Sequence, residues 1–267
     1  MSDSKSPGAL LEIDQITKFF GGLCAVKSFD LSLPRGALWG LIGPNGAGKT
    51  TVFNLITGLI QLTSGRVDLD GERIDGLEAY EITRLGVART FQNIRLFSNL
   101  SVLDNVRIAY HAHAEYGLTD SLLRTRRFLD KERELTDQAL DFLSIFKLEG
   151  ISQEIAKNLP YGEQRRVEIA RALACKPKVL LLDEPAAGMN PREINELMDL
   201  IHFIRDRFKL TILLIEHQMR VVMGICERIT VMDFGEVIAR GTPKEIQGNQ
   251  TVIEAYLGKG VATSAAS

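Results

Sequence analysis

Nine consecutive residues, Gly43-Pro44-Asn45-Gly46-Ala47-Gly48-Lys49-Thr50-Thr51, bring together the groups needed to grip a polyphosphate. They fit the spacing G-x-x-x-x-G-K-[ST]. Gly43, Gly46 and Gly48 let the backbone turn sharply and aim successive N–H groups into one concave nest for phosphate oxygens. A helix starting near Lys49 adds its positive end. Lys49 is placed to reach the β- and γ-phosphates, and the Thr50 hydroxyl is a ligand for Mg²⁺.

A second set follows in Val179-Leu180-Leu181-Leu182-Asp183-Glu184-Pro185, where a buried apolar strand ends in two carboxylates. In a parallel sheet those carboxylates lie where nucleotide binds, beyond the carboxyl ends of the strands. Asp183 suits a Mg²⁺ site, through a water of the metal, opposite Thr50. Glu184 suits the general base for the water that attacks the γ-phosphate. The structural reading, a loop start and helix cap, accounts for neither the phosphate loop upstream nor its spacing.

The elements that position these groups are read from periodicity. Leu38 to Ile42 is a strand entering the loop, and Val52, Phe53, Leu55, Ile56 and Leu59 mark the buried side of the helix leaving it. Leu10 to Leu33 reads as strand, turn and strand. Residues 65–75 alternate apolar and polar around Asp70-Gly71, a hairpin pattern, so part of the sheet content is antiparallel. The stretch from about 92 to 173 reads as helical. Asp120-Ser121 is a helix cap, and Leu135, Ala139, Phe142, Leu143 and Phe146 fall at helical spacing. The mixed charges between Arg124 and Glu134 suit a solvated helix face.

Strands and helices then alternate: Val179–Leu182, a helix from Pro191 to Phe208, Leu210–Ile215, a helix through Met219, Val222, Met223 and Cys226, and a hairpin of Ile229–Asp233 with Val237–Ala239. The expected fold is α/β, with a parallel sheet because its strands are apolar throughout. Residues 10–257 form one domain, with residues 1–9 and 258–267 as flexible ends.

Composition bounds the function. The 267 residues carry 45% hydrophobic and 25% charged side chains with a net charge of -2, ordinary for a globular protein and no footprint for nucleic acid. Cys24, Cys175 and Cys226 are odd in number, lack metal-ligand spacing and read as reduced core thiols. The sequence shows no secretory signal and no run of about 18 apolar residues. A role at a membrane would therefore be peripheral, on the cytosolic face.

The loop and the acidic strand end together describe a P-loop NTPase. The residues between and after them narrow the class. Asn158-Leu159-Pro160-Tyr161-Gly162-Glu163-Gln164-Arg165-Arg166 resembles the L-S-G-G-Q signature of ABC ATPases. The resemblance runs from residue 11 to about 242. It implies a Q-loop glutamine at Gln92, which senses the γ-phosphate or metal, a D-loop at Ala186–Asn190 and a switch histidine at His217. Phe20 takes the place of the aromatic that stacks on adenine, with Phe19 as the alternative. It further implies head-to-tail pairing of two ATPase subunits, so that Tyr161, Gly162 and Glu163 of one cap the ATP held by the other.

This chain departs from the family pattern at Pro160 for serine, Tyr161 for glycine, Glu163 for glutamine and Asn190 for aspartate. Pro160 supplies neither hydroxyl nor N–H. Asn190, with Pro191 and Glu193, is in any case a good helix start.

The variants in Tyr-Gly-x-Gln-Arg-Arg, Asp-Glu-Pro-Ala-Ala-Gly-x-Asn-Pro and Ile-Glu-His-x-Met are similar to those of branched-chain amino-acid importer ATPases. So are the insert at about 112–133 and the ending Ala255-Tyr256-Leu257-Gly258. This implies a bacterial importer subunit at the inner membrane, working with permeases, an external solute-binding protein and a second ATPase. Uptake of urea or amides, lipopolysaccharide export, a soluble ABC ATPase of repair or translation, and a nucleotide-binding regulator are the alternatives.

Overall fold

The computed structural model describes residues 8–110 and 126–257. The cap at Asp120-Ser121, most of the 112–133 insert and both chain ends lie outside them. The described chain divides into two compact units, one of residues up to Arg89 and from Lys178 onward, the other of Thr90–Pro177.

The first unit holds two sheets. The antiparallel sheet has the order β2-β1-β4-β5, from β1 (Ala9–Phe20), β2 (Leu23–Pro34), β4 (Ser64–Leu69) and β5 (Glu72–Arg73). The second has the order β10-β9-β3-β8-β7-β6, from β3 (Leu38–Ile42), β6 (Val87–Arg89), β7 (Val179–Asp183), β8 (Thr211–Ile215), β9 (Arg228–Asp233) and β10 (Glu236–Gly241). Strands β9, β3, β8, β7 and β6 run parallel, and β10 turns back on β9. Every residue of β7 and β8 is buried, which is why these strands lack polar alternation.

Helix α1 (Lys49–Ile56) places Val52, Phe53, Leu55 and Ile56 in one core with apolar residues from both sheets, including Phe29, Leu41, Val67 and Leu213. Leu59 departs from the expectation, being exposed. The helix ends before it because Gly58 turns left-handed at φ 68°, and the Leu59 N–H bonds back to Asn54 O. The unit also contains α2 (Ala79–Leu85).

The second unit is built around α3 (Val102–Tyr110), α4 (Arg126–Ile145) and α5 (Tyr161–Ala174). Val106 and Ala109, Ala139 and Leu143, and Val167 and Ala170 are buried in it, and Tyr110 meets Phe142 edge-on at 6.1 Å. Buried Asn105 accepts from Phe97 N–H and donates to the carbonyls of Phe97 and Ser101, which fixes the turn before α3.

Back in the first unit, α6 (Pro191–Phe208) begins with a full capping box. Asn190 Oδ1 accepts from the Arg192 and Glu193 N–H groups, and Glu193 Oε2 accepts from Asn190 N–H. The remaining helices are α7 (Met219–Ile225), α8 (Pro243–Gln247) and α9 (Gln250–Leu257). Cys226, expected within the helix, is the buried residue just past the end of α7. None of the described helices is long and apolar enough to cross a membrane.

Replacing Asn190 with Ala removes both acceptor bonds. It should cost about 1 kcal/mol of stability, read as a fall of about 2–4 °C in the thermal midpoint.

Candidate active site

Parallel pairing sets the site's floor. Leu41 pairs with Ile215 and Ile215 with Asp183, so the loop after β3, the carboxylates after β7 and the histidine after β8 leave the sheet at one level. The loop itself leaves no room for side chains at two glycines. A Cβ on Gly43, at φ 150°, would stand 2.0 Å from Met232 O; one on Gly48, at φ 101°, would stand 2.5 Å from Ala25 O. A Cβ at Gly46 would meet nothing within 4 Å, so the loop is buttressed from below and open at its crest. Gly235 N–H adds a bond to Ala47 O from the β9–β10 turn.

Lys49 is buried, and its Nζ donates to Gly43 O at 2.7 Å and Pro44 O at 2.9 Å. Burial lowers its pKa, and the charges of Glu184 and Asp183 oppose that shift. Thr50, next along the helix, is exposed.

Asp183 lies under an arginine that motif reading passed over. Arg89 Nη2 is 2.7 Å from Asp183 Oδ2 and its Nη1 is 2.7 Å from Asn54 Oδ1, with both partners of the ion pair almost fully buried. The guanidinium lies over the Phe53 ring at 5.4 Å. Glu184 takes a left-handed backbone, φ 46°, and its N–H bonds to Ile215 O. For a residue with a Cβ this conformation costs on the order of 1–3 kcal/mol. It turns the chain out of the strand, and the carboxylate reaches the switch position, with Oε2 3.4 Å from His217 Nδ1.

Glu216 is the second residue whose importance the sequence did not disclose. Fully buried, it accepts from the N–H groups of Ala186, His217 and Gln218. Gln218 Nε2 returns a bond to Ala186 O. The segment after Glu184 and the segment carrying His217 are thereby bolted together. Desolvation pushes the Glu216 pKa up, and its backbone donors oppose this.

Phe20 and Phe19 sit at the β1–β2 turn, 47% and 46% exposed, with Lys18 Nζ 5.2 Å from the centre of the Phe20 ring. Ala25 of β2, against the loop at Gly48, ties that turn to the site.

The first unit thus brings together the 43–51 loop, Asp183, Glu184 and His217, with Phe20 at its rim. Gln92, Tyr161, Gly162 and Glu163 belong to the second unit. Gln92 is exposed. Tyr161, Gly162 and Glu163 form the first turn of α5, entered through Pro160 without a side-chain cap. Gln164 Nε2 donates back to Leu159 O.

The donor set fits Mg²⁺. Among the described residues no three His, Cys, Asp or Glu side chains form a cage, and this ion commonly uses one or two protein ligands beside phosphate and water. Thr50 and Asp183 supply that number. The open, positively lined nest at Gly46–Lys49 fits a polyphosphate.

The chain matches known proteins over most of its length. The family profile described as ABC transporter matches residues 26–187, and one described as branched-chain amino acid ATP-binding cassette transporter matches residues 236–262. The high-affinity branched-chain amino acid transport ATP-binding protein BraF of Pseudomonas aeruginosa is 45% identical over 250 residues, 94% of this chain and 98% of that protein. LivG of Escherichia coli, described in the same words, is 46% identical with the same coverage. The lipopolysaccharide export system ATP-binding protein LptB of Escherichia coli is 34% identical over 94% of this chain and 98% of its own length. Among solved structures, an ATP-binding cassette of an ABC transporter in its ADP conformation has a TM-score of 0.81 at 30% identity, covering 94% of this chain and 99% of that one. A dimeric cassette bound to ADP and Pi has a TM-score of 0.73 at 26% identity, covering 87% and 98%.

Changing Arg89 to Ala strips the buried Asp183 of its guanidinium. Loss of one partner of a buried pair should cost about 3–5 kcal/mol, measured by urea unfolding.

Proposed function

Because the chain belongs to the ABC transporter family, we propose that it is the ATP-hydrolysing subunit of a membrane importer for branched-chain amino acids. The observation that carries the chemistry is the convergence of the phosphate loop, Asp183, Glu184 and His217 at one edge of the parallel sheet. ATP would lie with its phosphates in the 43–51 loop, where Lys49 meets the β- and γ-phosphates, and with its base against Phe20. Thr50 and Asp183 would hold Mg²⁺, with Gln92 completing its surroundings; the ion neutralises charge on the phosphates.

Arg89, paired with Asp183 Oδ2 at 2.7 Å, holds that carboxylate in place. Glu184 takes a proton from the attacking water. His217, held beside it by the Glu216 and Gln218 clamp, donates to the developing charge on the γ-phosphate.

Two such chains, or this chain and a related ATPase, would pair head to tail, with Tyr161, Gly162 and Glu163 closing over the partner's ATP. A dimeric cassette among the structural neighbours supports this arrangement. Closure would drive permeases in the membrane, with the protein peripheral on the cytoplasmic face and an external binding protein supplying the solute. The solute is the part resting on likeness alone: it follows from the relatives at 45% and 46% identity and from the match over residues 236–262. Lipopolysaccharide export is the second reading, supported at 34% identity.

Glu184→Gln keeps the shape and removes the base. Turnover should fall about 10²- to 10⁴-fold while ATP binding persists, and unchanged hydrolysis would take Glu184 out of that role. The importer reading is tested by recovering the tagged chain from gently solubilised membranes. Two multi-span permeases and a second ATPase are expected beside it. Soluble partners alone would remove the transport assignment and leave the ATPase chemistry standing.

A further inference from the structure

The second unit contains a buried ion pair that the hydrolytic chemistry does not use. Arg165 and Glu168, one turn apart on α5, have side chains 0% and 1% exposed and meet through Nη1 and Oε2 at 2.6 Å. Their other bonds all go outward from the pair to two segments. Arg165 Nη1 donates to Phe91 O at 2.7 Å and Nη2 donates to Gln92 O at 2.9 Å. Glu168 Oε1 accepts from Phe91 N–H at 3.3 Å and from Arg95 N–H at 3.1 Å. The same Arg165 Nη2 donates to the Tyr161 hydroxyl at 2.9 Å. The Arg95 guanidinium lies 4.0 Å from the centre of the Phe91 ring and closes this short stretch on itself.

Stability alone is a poor reason for this arrangement. A buried ion pair seldom outperforms apolar side chains of the same volume, and Arg165 Nε is buried without an acceptor. What the pair does supply is register. A planar fork and a carboxylate, each fixed on a helix, hold both the carbonyl and the N–H of Phe91 and the carbonyl of Gln92 at set positions relative to the start of α5. A backbone gripped by four such bonds cannot shift without the helix that grips it.

We propose that the Arg165–Glu168 pair makes the Gln92 segment and the Tyr161–Glu163 turn one rigid lever, so that the γ-phosphate sensed at Gln92 in one ATP site sets the cap offered to the ATP of the partner subunit. This rests on the head-to-tail reading proposed above. Gln92 would report the chain's own nucleotide and Tyr161–Glu163 would touch the opposite one. The pair joins these two contacts within a single chain. Arg165 and Glu168 are therefore positioning residues, and their contribution is a coupling between sites rather than a contact with ATP.

The test uses the full-length chain. In Arg165→Met/Glu168→Leu, apolar side chains of similar length fill the same space. ATP affinity, measured by direct binding, should stay within about twofold. Hydrolysis at saturating ATP should fall on the order of tenfold, and a sigmoidal dependence on ATP should become hyperbolic. Glu168→Gln is the milder companion. It should raise amide hydrogen exchange in residues 91–95 by about tenfold, well beyond the change in α3 and α4, even as loss of the buried counter-charge lowers the unfolding midpoint. Arg165→Lys keeps the charge and loses the fork, and should behave like the double variant.

An unchanged hydrolysis curve in the double variant would overturn the proposal. So would a parallel loss of ATP affinity, since the damage would then be general, or full cooperativity in Arg165→Lys. Should the double variant not fold, unchanged exchange in Glu168→Gln overturns it equally. A wild-type chain that does not hydrolyse ATP would instead remove the ATPase reading beneath it, and that result is separate from any difference between variants.

Discussion

The site depends on backbone atoms that leave no room for anything else. Met232 O stands where a Cβ on Gly43 would be, and Ala25 O stands where one on Gly48 would be. The loop is therefore clamped between β9 and β2, and each glycine exists because a neighbouring carbonyl occupies its side-chain space. The clamp joins the two sheets, since β2 belongs to the antiparallel one and β9 to the parallel one. Helix α1 fills the core between their residues, so the 43–51 loop is fixed by the same packing that holds the unit together. At Gly46, by contrast, a Cβ would meet nothing within 4 Å, so the loop is open at its crest.

Around this clamp, buried charge is placed by two different means. Asp183 is balanced by a cation, Arg89, whose own strand β6 pairs with β7. Glu216 is instead met by three backbone N–H groups. The difference suits the work each carboxylate does. A guanidinium holds the Asp183 carboxylate at a fixed point, which suits the metal-holding role proposed for it. Backbone donors tie Glu216 to the chain itself, so that Ala186 and His217 cannot separate without exposing an unsatisfied buried carboxylate. The left-handed turn at Glu184 sits between these two anchors. Its strain is sustained because both ends are fixed.

How much of this was legible follows from how local each signal is. The loop, the acidic strand end and the strands β7 and β8 were readable because motif and periodicity lie in consecutive residues. The Asn190 capping box was readable for the same reason. Strand β6 was not, since Val87–Arg89 is too short for a period, and Arg89 finds Asp183 only across 94 positions of sequence. Glu216 read merely as the residue before His217; its three donors are visible only when β8 lies beside β7. Leu59 was misplaced because its apolar spacing continues the helix, whereas Gly58 can and does leave it. The separation of Gln92 from the signature turn in sequence likewise hid that one arginine touches both.

Pro160 changes what the start of α5 can offer an anion. It holds an extended backbone, ψ 151°, and brings no hydroxyl, so the side-chain donor expected at this position is gone. The first N–H groups of a helix nonetheless have no acceptor within the helix itself. Gln164 N–H bonds to Pro160 O, which leaves Tyr161, Gly162 and Glu163 ahead of the first intrahelical bond. In the head-to-tail arrangement proposed above, a phosphate would thus be met by main chain and helix dipole rather than by a hydroxyl. Main-chain donors point where the helix points. In a chain with Pro160, alignment of α5 would therefore decide the quality of such a cap more than any rotamer could, and Arg165 and Glu168 are the residues whose bonds reach from that helix to the Gln92 segment.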